Sequence, residues 1–227
     1  MKIVLFGASG TIGNEIKTLA EERKVGLLPL SRSKDRQGYL QLDDSNEWIN
    51  HLDEFQNPEE PCSYVFCQGM NVNDDITETS KFNDVFSANV GFILEKLNLL
   101  FVKNKIQSGS SIVLVSSIWQ EVSRSNKLSY SVSKSALKGL VNSLVADLSS
   151  KKIRVNAVLP GVVDSKMTRE NLREEQLQNI ISQTPSHSLV TARDVAQVVL
   201  WLCSPEASGV TGQFITVDNG WSNVRTV

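Results

Sequence analysis

Short apolar runs alternate with amphipathic stretches along the whole 227-residue chain. Residues 3–6 form an apolar run closed by Gly7, a pattern that predicts a buried strand. Over residues 11–23, Ile12, Ile16, Leu19 and Ala20 recur at helical spacing and predict one buried face. Residues 25–30, 39–42, 64–67, 111–115, 153–159 and 214–217 read as further strands, and 82–102, 129–148 and 192–202 as helices. Strands that are continuous apolar runs are covered on both faces, and helices between them make the connections parallel. The pattern predicts an α/β fold, a doubly wound parallel sheet of about seven strands with helices on both faces. No repeat, low-complexity tract or linker interrupts it, so 1–227 reads as a single domain. The least patterned stretch is 165–189, polar and helix-like, with Pro185 near its end.

Composition narrows the functional classes. Hydrophobic residues make up 41% and charged residues 21%, with a net charge of −2. That is globular usage, and it lacks the concentrated basic face of a nucleic-acid-binding protein. No apolar run approaches the roughly 20 residues that span a bilayer, and the amino terminus lacks the long apolar region of a secretory signal. A cytoplasmic protein with no membrane or nucleic-acid partner is expected. Cys62, Cys67 and Cys203 are odd in number and form no CxxC, which predicts reduced thiols. His51 and His187 have no metal-ligand spacing, so no metal is expected; His51 falls in an apparent amphipathic helix and His187 in a polar stretch, and both read as surface residues.

The candidate chemistry begins at Gly7-Ala8-Ser9-Gly10-Thr11-Ile12-Gly13, between a strand and a helix. Glycines there permit backbone angles and close approach that a β-carbon would block. The helix start offers unpaired N–H groups and a positive dipole end, which suit a pyrophosphate. Strand, turn and helix in a repeating β/α pattern is the context of a Rossmann-like dinucleotide site. At the end of the second strand, an acidic residue would bind the adenosine ribose of NAD. Ser31-Arg32 stands there instead, and a guanidinium forks onto a phosphate. NADP(H) is therefore preferred and NAD(H) stays open, because Asp35 is near.

A second constellation lies further on. Tyr130 and Lys134 share one helix face. A free phenol has a pKa near 10, and a neighbouring ammonium is expected to lower it towards a useful range for proton exchange. Ser117 closes the preceding strand, at the sheet edge where ligands gather, and its hydroxyl could hold a substrate carbonyl.

Together these residues resemble the short-chain dehydrogenase/reductase family, over about residues 2–220. The shared tokens are GASGTIG at 7–13, LDD at 42–44, Asn89-Val90-Gly91 and Ser-Ser at 116–117. They continue with YSVSK at 130–134, IRVNAVLPGVVDSKM at 153–167 and TGQFITVDNGW at 211–221. Within that family the ordering and tail look most like the 3-oxoacyl-carrier-protein reductase type. The resemblance implies Tyr130 as acid/base, Lys134 as its pKa partner and ribose ligand, and Ser117 as carbonyl holder. It implies Asn89 as support for a proton-relay water, through a local break in the long helix. Ser9, Gly10, Thr11, Ile12, Gly13 and Gly69 would sit with the cofactor, Asp43 at its adenine edge, and Pro160, Gly161, Val163 and Ser165 along its nicotinamide. Residues 165–190 would be a substrate lid, and relatives pair through the long central helices, which implies a homodimer or homotetramer. The chain departs from the family pattern at Phe6, where threonine is usual, at Thr11, where glycine is usual, and at Phe66-Cys67-Gln68-Gly69, where Asn-Asn-Ala-Gly braces the central strands.

The expected function is hydride transfer between a nicotinamide and a carbonyl or alcohol carbon. Polar residues after Ser117 (Gln120, Glu121 and Arg124, beside Trp119) suit a hydroxylated, sugar-like or charged small molecule, and the tail similarity suits a 3-oxoacyl thioester. The alternative is a protein that binds or senses NADP(H) without turnover.

Overall fold

The computed structural model describes residues 1–32, 37–43, 45–57 and 60–224. Asp35 and Asp44 lie outside the described residues. Seven strands, β1 (Lys2–Phe6), β2 (Gly26–Ser31), β3 (Leu40–Gln41), β4 (Ser63–Phe66), β5 (Ser111–Val115), β6 (Arg154–Pro160) and β7 (Phe214–Val217), form one sheet in the order β3-β2-β1-β4-β5-β6-β7. Every pairing is parallel. The helices are α1 (Thr11–Glu22), α2 (His51–Phe55), α3 (Phe82–Phe86), α4 (Phe92–Val102), α5 (Leu128–Leu148), α6 (Lys166–Asn171), α7 (Glu174–Gln183) and α8 (Ala192–Cys203).

The strands are mostly apolar because each face meets its own helical layer. In β1, Val4 and Phe6 join the layer that holds α4 and α5, while Ile3 and Leu5 join the layer that holds α1 and α8. Phe6 stacks on Phe66 at 4.5 Å and meets the edge of Trp48 at 5.3 Å. That packing accounts for an aromatic residue where the family pattern has threonine. The expected amphipathic helix around His51 is a 3-10 turn, Glu47–Asn50, followed by short α2; it buries Trp48 and Leu52 and leaves His51 exposed.

The long apolar stretch Phe82–Val102 is interrupted by a π-helical turn, Ser87–Gly91, between α3 and α4. This segment is long and apolar enough to cross a membrane, with a mean hydropathy of 1.5 over an 18-residue window. It carries Asp84, Glu95 and Lys96, and buries Val90, Ile93, Leu97 and Leu100 in the protein core. Strand order reverses between β1 and β4, which opens a crevice at the carboxyl ends of the central strands.

Candidate active site

A cleft of about 940 Å³ occupies that crevice. Its floor begins at the glycine turn. Gly7 has φ +77, and a Cβ there would lie 2.5 Å from the Gln68 nitrogen. A Cβ at Gly13 would lie 2.2 Å from the Gly7 carbonyl oxygen, so glycine lets α1 start directly against the turn. No side chain caps α1, whose N-cap is Gly10. Ser9, Gly10, Thr11 and Ile12 therefore border the cleft beside a positive helix end. Ser31 donates to Ser9 at 2.7 Å, tying the end of β2 to the turn. Arg32 follows, exposed on the cleft wall.

Ser117, Tyr130 and Lys134 come together in the middle of the cleft. The Ser117 hydroxyl accepts from the Trp119 amide at 3.3 Å and shares the cleft wall with the phenol. Lys134 Nζ lies 5.6 Å from the Tyr130 ring centroid and donates to the Val115 carbonyl at 3.0 Å. The expected lowering of the phenol is not what this arrangement gives. Burial pushes Tyr130 up to about 12, and the neighbouring Ser117 hydroxyl opposes this only in part. Burial also pushes Lys134 down to about 8. The ammonium sits over the ring and is held by a backbone carbonyl, and desolvation is the dominant influence at both groups. At neutral pH the pair is a protonated phenol beside a protonated amine.

Asn89 is fully buried in the π-helical turn and is not part of the cleft wall. Its amide nitrogen donates to Met70 O at 3.0 Å and Ser133 Oγ at 2.8 Å, and its oxygen accepts from Met70 N at 2.7 Å. The break in the long helix is where the resemblance implied it, and the side chain there acts as a brace between the loop after β4 and helix α5. Gly69, Pro160, Gly161, Val163 and Ser165 all line the cleft, and Ser165 also caps α6 by accepting from Thr168 N at 3.1 Å. Asp43 is exposed, is not brought to the cleft, and accepts from the Ser45 amide and hydroxyl. Gln120 and Glu121 are also drawn away: Ser116 donates to Gln120, and Lys138 pairs with Glu121. His187 is exposed and lies outside the cleft.

Several lining residues were not among the site residues expected from the sequence. Gln68 has both amide atoms buried with no hydrogen-bond partner among the described residues. Asn71 and Lys127 line the far end, where Lys127 Nζ donates to Asn71 Oδ1 at 2.6 Å. Trp221 returns from the chain end to meet Trp119, with ring centroids 5.9 Å apart. Lys127 lies one helical step before Tyr130, a spacing that could have found it. Gln68 follows a β-strand at the ligand edge of the sheet, which is also a readable signal. From α7, Gln176, Asn179 and Gln183 face the cleft, within the stretch expected to be a lid.

Residues 71–222 match a family model described as Enoyl-(Acyl carrier protein) reductase. The chain is 32% identical over 139 residues to a 7alpha-hydroxysteroid dehydrogenase of Escherichia coli (strain K12), covering 61% of this chain and 54% of that protein. It is 38% identical over 114 residues to a 3-oxoacyl-[acyl-carrier-protein] reductase of Thermotoga maritima, covering 50% of this chain and 46% of that one. The matched stretch thus spans about half the length of these relatives. The solved structure of ElxO with NADP bound superposes with a TM-score of 0.84 over 99% of this chain and 100% of that chain, at 22% identity, which shows a shared fold. The family-model match starts after β4, so the glycine turn stands on its own geometry.

Proposed function

The chain belongs to the short-chain dehydrogenase/reductase family, and from that premise we propose that it is an NAD(P)(H)-dependent oxidoreductase acting on a carbonyl or alcohol carbon. The observation that carries this is the convergence of Ser117, Tyr130 and Lys134 in the cleft that begins at the glycine turn. The residues present fit a dinucleotide. Glycine at 7 and 13 lets the turn pack directly on the backbone after β4 and lets α1 start against it, and that helix start, which no side chain caps, borders the cleft. The orphaned Gln68 amide in the wall lacks a partner that a ribose hydroxyl could supply.

Ser9, Gly10, Thr11, Ile12 and Gly13 would hold the pyrophosphate, with Ser31 fixing the turn. Arg32 would take a 2′-phosphate, which favours NADP(H) over NAD(H). Gly69, Pro160, Gly161, Val163 and Ser165 would flank the nicotinamide, and Lys134 a ribose. When bound, the nicotinamide supplies or accepts the hydride. Ser117 orients the substrate oxygen, and the Tyr130 hydroxyl gives it a proton during reduction. The Lys134 ammonium stabilises the phenolate left behind. Asn89 is a positioning residue that fixes Met70 against α5. Two substrate classes fit: a 3-oxoacyl thioester, as in the name of the Thermotoga maritima relative, and a small polar, sugar-like ketone, which the amide side chains of α7 suit. Leu94 on α4 and Val132 on α5 are half-exposed apolar residues on the two central helices, which supports a homodimer or homotetramer.

The test is NADPH oxidation with a panel of ketones. Wild type turns over at least one of them, and Tyr130→Phe lowers kcat by about 10²-fold or more. If NADPH binds to the wild type and no carbonyl compound is ever reduced, a binding or sensing protein replaces this reading.

A further inference from the structure

The wall of the cleft contains four cationic side chains, Arg32, Lys134, Arg124 and Lys127, and among the described residues no Asp or Glu. A chain of net charge −2 has thus kept carboxylates out of one concave surface. The dinucleotide accounts for Arg32 and Lys134. Arg124 and Lys127 stand at the other end, beyond Tyr130. We propose that this pair selects a carbonyl substrate that carries an oxyanion, a carboxylate or a phosphate, a few bonds from the reacting carbon; this rests on the oxidoreductase reading above and names its substrate class.

The geometry is specific. Lys127 is buried, with Nζ 5.7 Å from the Tyr130 ring centroid. Asn71 Oδ1 and the Val72 carbonyl, at 2.6 and 3.1 Å, accept two of its N–H bonds and leave a third donor. The Arg124 guanidinium lies 5.8 Å from the Trp119 ring centroid, and Trp119 meets Trp221. An indole wall lowers the local polarity, so a charge there counts for more than at an open surface. Neither cation forms an ion pair with a described carboxylate. Arg124 also borders a smaller pocket with Asp74, Asp75 and Glu78, but forms no salt bridge to them. Asp74 instead accepts from the Ser129 amide and hydroxyl. Burial, and to a lesser degree the Arg124 charge, depresses Lys127 to about 8, against the opposing pull of Asp74. Two neighbouring cations left in this state are relieved by an anion between them. The amides of Gln176, Asn179 and Gln183 in the same cleft add neutral donors and no negative charge.

The experiment measures kcat/KM at saturating NADPH for two matched pairs: 4-oxopentanoate against its methyl ester, and dihydroxyacetone phosphate against dihydroxyacetone. At least one charged member is expected to exceed its neutral partner about tenfold or more, as one charge-assisted hydrogen bond allows. The pair that shows this tells carboxylate from phosphate. Arg124→Gln and Lys127→Met each cut that ratio about fivefold or more, and Arg124→Lys restores it. Arg124 is exposed, so its variants test the point even if Lys127→Met fails to fold. Equal kcat/KM within both pairs, or a ratio untouched by Arg124→Gln, overturns the anion assignment and leaves the oxidoreductase reading standing. If no member of either pair is reduced, calorimetric titration of the same four compounds into NADPH-loaded protein decides. Tighter binding of a charged member that is lost in Arg124→Gln upholds the cation pair, and equal or absent binding overturns it.

Discussion

Arg32 follows the last residue of β2, beside the Ser31–Ser9 hydroxyl pair, and its side chain is exposed on the cleft wall. Nothing in the described protein fixes its guanidinium. A 2′-phosphate there would gain a forked, charge-assisted contact that a ribose hydroxyl cannot match. Arg32→Ala is therefore expected to weaken NADPH binding about tenfold or more while NADH binding changes less, read by fluorescence titration of both cofactors. Equal losses for the two would remove the phosphate assignment. The same residue scale shows what spacing conceals. That Tyr130 and Lys134 share a helix face was readable, but the direction of the phenol's shift was not. It depends on how deeply both groups are buried and on which carbonyl holds the amine, and these come from β5 and the loops around it.

At the scale of elements, the apolar runs carried most of the architecture. Buried strands repel polar residues on both faces, so β1, β4, β5 and β6 stood out, with ends differing by a residue or two where hydrogen bonding frays. The π-helical turn left no mark on the periodicity, since a one-residue change in hydrogen-bond ring leaves the apolar spacing of Phe82–Val102 nearly intact, and only the family resemblance at Asn89 pointed to it. The convergence of Trp221 on Trp119 was also hidden, because it joins the loop after β5 to the far end of the chain. Phe6 shows an element-level trade. Its stack with Phe66 and edge contact with Trp48 fix β1, β4 and the 3-10 turn to one another. Phe6→Ala leaves a cavity among side chains that cannot close around it. It is expected to lower unfolding free energy by about 3–5 kcal/mol in urea titrations. A loss under about 1 kcal/mol would mean that this aromatic cluster collapses freely.

Across the whole molecule, the cleft places two charged lysines out of water. Lys127 and Lys134 are held near 8, against an ordinary value of 10.5, chiefly by burial. A lysine whose folded value is depressed penalises the folded state fully below pH 8, and the penalty fades as pH rises from 8 towards 10.5, because the unfolded chain then binds more protons. Each contributes a cost of about 3 kcal/mol at neutral pH. The cysteines act in the opposite sense. Burial holds Cys62 at about 11 and Cys67 and Cys203 at about 12, above an ordinary 9.0, so the unfolded thiols ionise first and stability falls once pH passes 9. The two trends cross near pH 9. Cofactor-free protein under reducing conditions is therefore expected to gain about 1–2 kcal/mol of unfolding free energy between pH 7 and 9, and to lose it above. A flat or falling profile between pH 7 and 9 would mean that the lysines are solvated in the free protein. Because a bound anion favours the charged lysines, NADPH should raise the urea midpoint more at pH 7 than at pH 9, where the amines have begun to lose their protons.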